Sequence, residues 1–352
     1  MIPGTCMVQS PHGAHLEMPA VPLKAKVAHL SRPDTYSEQP AAVEVIQTHM
    51  SFVFLTERHA YKLKKPVRYE FLDFSTLEAR HADCLEEVRL NRRLARDVYL
   101  DVTALTRGAG GALRLGGEGK TVEWLVRMRR LPRELMLDRA ISAERATVED
   151  VRRFMLVLTH FYRRAEPVAM DADRYLQRFE HDIRANHRVL LGRDYGLPRT
   201  LVEAITAHQL DTVAHDATLL EQRAAEGRIV EGHGDLRPEH VFLGREPVFI
   251  DCLEFSRDWR LLDPVEEIAY LGLECEQAGA TWIGDAALEI YSERTGDAPA
   301  VRLLRFYKSV RASLRAKLSV WHLRDHLDSA AQAKWRQRAR RYLELASRYA
   351  AP

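Results

Sequence analysis

Two aspartates stand in short β-like stretches of the second half of the chain: Asp235 inside "EGHGDLRPEHVFL" (Glu231–Leu243) and Asp251 at the end of "PVFID". Far upstream, "AYKLKK" sets Lys62, Lys64 and Lys65 in a β-rich run, and "CLEEVRL" sets Glu86 and Glu87 in a helical one. Phosphoryl transfer asks for this inventory: a group that accepts or orients the nucleophile's proton, cations on the phosphates, and acidic ligands that hold those cations. Asp235 suits the first task. Alternate strand residues share a face, so Lys62 and Lys64 point one way and Lys65 the other. A lysine beside phosphate needs a carboxylate partner, and helical spacing selects Glu87, three residues after Cys84 and seven before Leu94 on the inward stripe, while Glu86 points aside.

The elements that must carry these residues follow from pattern. From Val43 the runs "VEVIQT", "FVFLT" and "AYKLKK", separated by "HMS" and "ERH", read as three antiparallel strands. "FSTLEARHADCLEEVRLNRRLA" reads as a helix opening at Ser75, with Glu78 three residues later as a capping box. "ALRL" and "TVEWLVRM" add two strands across the turn "GGEG". From Thr147 the pattern is mostly helical, clearest in "TVEDVRRFMLVLTHFYRR", where Thr147 is the N-cap and Val151, Met155, Leu158 and Phe161 share a face. Within that half, "RIVEGHGD", "HVFL" and "PVFID" embed a hairpin. The fold class expected is α+β and bilobal: a small antiparallel sheet plus one helix, then a larger, mostly helical lobe. The divisions expected are an arm with a short helix around "LKAKVAHL" over 1–40, the small lobe over 41–130, a connection near Met128 to Pro132, and the helical lobe over 131–352.

Composition narrows the partners. The chain has 352 residues, 46% of them hydrophobic, and 52 Lys and Arg against 50 Asp and Glu give a formal charge of +2. No strong field draws it to nucleic acid or an acidic membrane. Cys6, Cys84, Cys252 and Cys275 form no C-x-x-C pair, which fits neither a zinc site nor a disulfide framework and suits a reducing cytoplasm. No apolar run approaches the roughly 20 residues that span a bilayer, and the opening residues lack the pattern of a secretory signal. A cytoplasmic setting is expected. "GGEGKT" ends as a P-loop does, but the first glycine of that motif would fall at Arg114 and a strand follows in place of a helix, so it reads as a hairpin turn.

"HGDLRPEH" followed by "FIDCLEF" resembles the bacterial aminoglycoside phosphotransferase family, within the protein-kinase-like fold, and the likeness runs from about Val43 to the C-terminal helices. "QTHMSFVFLT", "YKLKKPV", "LDFSTLE" and "RLNRRLA" are similar to an uncharacterised branch of it, some members of which carry an additional P-loop ATPase domain; these 352 residues end before any such domain. The resemblance implies transfer of the γ-phosphoryl group of ATP or GTP to a hydroxyl of a small molecule, with Mg²⁺ or Mn²⁺. "DLRPEH" parallels the kinase "DLKPEN", which sets Asp235 as base or orienter and Arg237 where a γ-phosphate-contacting lysine lies. Asp251 falls about where the metal-binding aspartate of "DFG" would be. Matching "HAYK" to "VAIK" puts Ala60 over the adenine and Lys62 on the α and β phosphates, with Lys64 as its rival. Met128, in the connecting segment, joins the nucleotide-binding set. Thr48 and Ser51, in the turn "THMS", lie where a phosphate-covering loop would be and offer hydroxyls and amides without a glycine. His233 is expected to anchor the loop backbone, and Asp263 of "LLDPVEEIA", resembling "GDPxxDLA", to brace that loop and begin a helix. "FYKSVRASLRAKL" puts Tyr307, Arg311 and Arg315 on one helical face that could border the acceptor pocket, since arginine forks grip carboxylate or phosphate; a solvated or salt-bridged face is the competing reading.

His240 departs from the pattern, for the family has a metal-binding asparagine there. Mg²⁺ takes hard oxygen ligands, whereas imidazole suits Zn²⁺, Fe²⁺ or Mn²⁺. Three outcomes stand open: a one-Mg²⁺ kinase relying on Asp251, a Mn²⁺-favouring kinase, or a nucleotide-binding pseudokinase that acts as a binding module. The first is the expectation, because Lys62, Glu87, Asp235, Arg237 and Asp251 are all in place; Glu254 is a candidate compensating carboxylate.

Overall fold

The computed structural model describes residues 20–69, 71–324 and 328–351; Cys6 and the rest of the opening lie outside them. The expected short helix of the arm is present and packs against the small lobe. The helix α1 (Leu23–Leu30) carries Leu23, Val27 and Leu30 on one stripe, and Leu30 and Tyr36 join Phe54, Leu63, Leu105 and Leu125 in one apolar cluster of the small lobe. Lys26 adds an ammonium 2.7 Å from Glu123 Oε2 on the sheet.

The strands β1 (Glu44–Gln47), β2 (Ser51–Leu55) and β3 (His59–Lys64) form the expected antiparallel meander, followed by the small hairpin β4 (Arg68–Tyr69) and β5 (Leu72–Asp73). The helix α2 (Leu77–Asn91) begins one residue later than expected. Thr76, not Ser75, is its N-cap, accepting the amide of Ala79 at 3.1 Å, because the amide of Ser75 is held 2.9 Å from the Asp73 carboxylate. Then come β6 (Tyr99–Arg107), which the sequence reading did not assign, β7 (Leu113–Leu115) and β8 (Lys120–Arg129).

The six-stranded order is β1-β2-β3-β8-β6-β7. β7 and β8 both pair with β6 and not with each other, so "GGEG" is a crossover past the end of β6 and not a hairpin turn. Gly119 makes that passage possible: its φ is +131°, and a Cβ there would lie 2.6 Å from the Arg107 carbonyl oxygen.

The helical lobe opens with α3 (Leu137–Ser142) and α4 (Val148–Arg164), the latter closed at its start by a capping box of Thr147 and Asp150. The helices α5 (Ala172–Leu191), α6 (Arg199–His215) and α7 (Ala217–Ala225) follow. Short strands frame the loops that matter: β9 (Val230–Glu231), β10 (Val241–Phe242), β11 (Val248–Phe249) and β12 (Leu261–Leu262), with β10 paired to β11 and β12 to β9. The helix α8 (Pro264–Gln277) is buried at every residue from Pro264 to Cys275, so it is the axis of this lobe. The chain closes with α9 (Thr281–Thr295), α10 (Val301–Trp321) and α11 (Ser329–Ala350). Phe154, Tyr175, Phe179, Leu271 and Phe306 of four helices meet in one apolar cluster that includes α8; each such side chain contributes about 1.5–3 kcal/mol on burial. The two lobes also touch at their outer edge, where His49 of the β1–β2 turn lies 2.8 Å, ring nitrogen to ring nitrogen, from His322 beyond α10.

Candidate active site

β3 and α2 bring lysine and carboxylate together inside the small lobe. Glu87 is fully buried, and its two oxygens are divided between two lysines: Oε1 lies 2.8 Å from Lys62 Nζ and Oε2 lies 2.6 Å from Lys64 Nζ. Glu86 instead pairs with Arg89 at 2.6 Å and with Arg260 at 3.3 Å. Lys62 reaches on to Asp251 Oδ1 at 2.9 Å, crossing from one lobe to the other. Lys64 turns inward. Its side chain is 1% exposed, and its ammonium lies 2.5 Å from Asp83, 2.6 Å from Glu87 and 2.6 Å from Glu254. Those three carboxylates converge closely enough to hold a metal ion, and Lys64 is the cation they hold. Lys65 faces away, over the Phe52 ring, and donates to the Thr48 carbonyl.

The opposite wall is the loop between β9 and β10. Gly234 sits at φ +86°, where a Cβ would crowd Leu253 and Arg260 at 3.0–3.1 Å. The amides of His233 and Gly234 donate to the Glu267 carboxylate at 3.1 and 2.5 Å, and Tyr162 donates to it as well. Glu267 therefore braces this loop, which corrects the expectation placed on Asp263. Asp263 does begin α8, accepting the Val265 amide at 2.9 Å, but its carboxylate is otherwise taken by Arg223 and Tyr307. The two are four residues apart on one helix, and one turn decides which faces the loop. His233 accepts the Asp235 amide at Nδ1 and donates from Nε2 to the Ile250 carbonyl at 2.9 Å; burial pushes its pKa down to about 4.

Asp235 has one oxygen 3.2 Å from the Tyr270 hydroxyl and the other 3.0 Å from Arg237. Burial would raise its pKa, but Arg237, His240 and Arg315 outweigh that and hold it down to about 2. Arg237 also donates to Glu239 at 2.6 Å. His240 Nδ1 donates to the Asp235 carbonyl at 2.8 Å, which fixes the tautomer and leaves an electron pair on Nε2. That atom accepts from Arg237 at 3.1 Å and lies 3.5 Å from Asp251 Oδ2.

Asp251 is a non-glycine residue at φ +60°, a strained backbone that persists only where its neighbours impose it. Tyr99 of β6 accepts its amide at 3.0 Å, and Asn91 of α2 accepts the next amide, that of Cys252, at 2.9 Å. Partial withdrawal from water opposes its ionisation, but Lys62 and His240 hold the carboxyl far below the usual range.

Of the remaining candidates, Ala60 and Met128 pair across β3 and β8, so their side chains share one face of the sheet. Thr48 and Ser51 close the β1–β2 turn on each other, the Thr48 hydroxyl accepting the Ser51 amide at 3.0 Å. Tyr307, Arg311 and Arg315 do not form a solvated face. Tyr307 is fully buried on Asp263, Arg311 pairs with Glu266 at 2.7 Å, and Arg315 pairs with Glu274 at 3.0 Å. Arg311 and Arg315 remain close to the Asp235 wall through Tyr270, whose ring lies 5.0 Å below the Arg311 guanidinium. Sequence reasoning missed Tyr99, Asn91, Glu267 and Tyr270. Only Tyr270, seven residues after Asp263 in an apolar helix, left a signal, as a hydroxyl needing a buried partner.

No family model matches the chain. It is 32% identical over 287 residues to uncharacterized proteins of Mycobacterium bovis and Mycobacterium tuberculosis, an alignment covering 78% of this chain and 54% of theirs. The chain thus spans about half the length of the curated relatives it matches. Among solved structures it is similar to a choline/ethanolamine kinase family protein from Mesorhizobium loti, with TM-score 0.49 and 13% identity over 92% of this chain and 98% of that one. It is also similar to choline kinase LicA from Streptococcus pneumoniae, with TM-score 0.49 and 16% identity over 91% and 97%. An aminoglycoside phosphotransferase from Streptomyces rimosus, in complex with ADP and streptomycin, gives TM-score 0.43 and 18% identity over 76% and 90%.

Proposed function

We propose that this chain is a small-molecule kinase of the aminoglycoside phosphotransferase-like type, moving the γ-phosphoryl group of ATP or GTP to a hydroxyl. The observation that carries the reading is Lys62, whose ammonium joins buried Glu87 of one lobe at 2.8 Å to Asp251 of the other at 2.9 Å, opposite Asp235. On this reading Lys62, held by Glu87, takes the α and β phosphates, and Ala60 with Met128 lies against the base. The turn that Thr48 and Ser51 close on each other covers the phosphates.

A divalent cation fits the opposite side. His240 Nε2 and Asp251 Oδ2 stand 3.5 Å apart, close enough to share a cation once Arg237 releases Nε2 to meet a phosphate. Asp251 and His240 would hold it, and Mg²⁺ or Mn²⁺ bound there would neutralise charge developing on the transferred group. Asp235, with a pKa near 2, is a weak base. Its role is to accept a hydrogen bond from the acceptor hydroxyl and aim it, while Tyr270 and Arg237 hold the carboxylate still.

One observation favours the second reading, a nucleotide-binding pseudokinase. Arg237 is engaged with both Asp235 and Glu239, so it must leave one of them to meet a phosphate. The deciding experiment measures ATP and GTP turnover with Mg²⁺ and with Mn²⁺ over a pool of hydroxylated metabolites, beside a direct nucleotide titration. Asp235→Ala is expected to abolish turnover and leave nucleotide affinity nearly intact. Unchanged turnover would remove Asp235 from the reaction, and binding without transfer under every condition would favour the pseudokinase.

A further inference from the structure

The faces of α5 and α10 that look toward each other carry polar atoms that have no hydrogen-bond or ion-pair partner among the described residues. Asp182 makes no hydrogen bond and no ion pair among the described residues; the charges it feels are those of Arg178, Lys317, Arg311 and Glu266. Lys317 has no carboxylate within ion-pair distance among the described residues, and its ammonium stands 5.6 Å from the centre of the Trp321 ring. Asn186 is 2% exposed, yet its amide nitrogen and oxygen both lack partners. Nε of Arg178 and Nε of Arg311 are likewise buried and unbonded.

Arg178, Asp182 and Asn186 follow one another at four-residue intervals and so lie along one side of α5. A buried polar atom left unbonded costs about 1–3 kcal/mol. Native chains keep few of them, so several along one seam mark a place that something else completes.

The seam runs up to the Asp235 wall. Arg311 stacks on Tyr270 at 5.0 Å, and Tyr270 donates to Asp235 at 3.2 Å, so the unpartnered groups begin one aromatic ring away from the carboxylate that would aim the acceptor hydroxyl. Their chemistry is mixed. Lys317, the two arginine Nε atoms and the Asn186 nitrogen donate; Asp182 and the Asn186 oxygen accept. Hydroxyl groups do both, and a molecule with several of them satisfies both kinds at once.

Charge excludes another class. Arg178, Arg311, Arg315 and Lys317 face Asp182, Glu266 and Glu274; Glu266 already bridges Arg178 and Arg311 at 2.5 and 2.7 Å, and Glu274 holds Arg315. A cationic amine would find Asp182 alone, and would share it with Lys317, whose ammonium already faces the nearby indole. Resting on the kinase reading above, we propose that the seam between α5 and α10 is the acceptor site, and that it takes an uncharged polyhydroxylated molecule, a sugar or cyclitol, in preference to an amino alcohol or amino sugar.

The test is ADP release at saturating ATP and divalent cation with matched acceptors: glucose against glucosamine, galactose against galactosamine, and myo-inositol and ribitol against ethanolamine and choline. At least one uncharged polyol should raise ADP release, with its amine counterpart poorer in kcat/KM. In Asp182→Asn and Lys317→Met, KM for that polyol should rise roughly 10- to 100-fold, the value of a hydrogen bond to a charged group. KM for ATP should change less than about twofold, since neither side chain meets nucleotide on this reading. Thermal melts confirm that each variant folds. Stimulation by amines alone overturns the proposal. So does a protein that binds ATP, turns it over slowly in an Asp235-dependent way and responds to no polyol, and in that case the kinase reading stands. A protein that binds no nucleotide overturns both.

Discussion

Replacing Lys64 by methionine separates two lysines that share a strand face and a carboxylate. Lys64 is 1% exposed and stands 2.5–2.6 Å from three carboxylates. Its removal leaves Asp83, Glu87 and Glu254 with Lys62 as their nearest ammonium, 2.8 Å from Glu87 and 3.9 Å from Glu254. Breaking a buried ion pair from one side costs about 3–5 kcal/mol. In domains of 150–250 residues each kcal/mol moves Tm by about 2–4 °C, so Lys64→Met should lower Tm by on the order of 10 °C. Lys62→Met leaves Glu87 held by Lys64, and Asp251, 47% exposed, can meet water. Its stability loss should be less than half as large, while nucleotide-dependent turnover falls roughly 100-fold, as when one charge-stabilising donor is removed. Lys65→Met should do neither. Thermal melts and a nucleotide titration on the three variants check this. A Lys62 variant that melts lower than the Lys64 variant, or a Lys65 variant that loses nucleotide, would refute the assignment of the strand's two faces.

His240→Asn swaps an imidazole electron pair for an amide oxygen, so the ratio of kcat/KM with Mg²⁺ to that with Mn²⁺ should rise roughly tenfold; a constant ratio would mean that His240 does not meet the metal. Asp83 is buried beside two other acids, and burial pushes its pKa up to about 6 from an ordinary 3.8. Its contribution to stability is therefore full below about pH 4 and lost as pH rises through 6. Asp83→Asn should gain Tm relative to the native chain on going from pH 5 to pH 8, and a difference independent of pH would sink the reasoning.

Much of the site could be read before the fold was seen, and the limits have physical causes. Alternation in "AYKLKK" told Lys62 and Lys64 from Lys65. Which of the two points inward depends on Asp83 and Glu254, far apart in sequence, and no local pattern contains that. The helical stripe that selected Glu87 was legible because α2 buries one side. β6 was not, because Asp101 and Thr103 interrupt its apolar run and its strand character comes from pairing on both edges. The order β8-β6-β7 was hidden for the same reason: "GGEG" looks like a hairpin turn unless the strand between its two ends is known. Asp263 and Glu267 show the reach of a motif, since a resemblance marked the right helix and the wrong turn of it. His240 was visible as a departure, but the bond from Nδ1 to the Asp235 carbonyl that sets which ring nitrogen carries the proton belongs to three dimensions.

The bridge from Lys62 to Asp251 also governs how the cleft fills. Each of these charges is balanced by the other, so on the reading proposed here nucleotide entry is an ion exchange. Lys62 passes from a carboxylate to a phosphate, and Asp251 passes from an ammonium to a metal. A nucleotide arriving without its metal would draw Lys62 away and leave Asp251 with no cation in the place of the ammonium. On that reading the cleft favours the metal–nucleotide complex over either component alone.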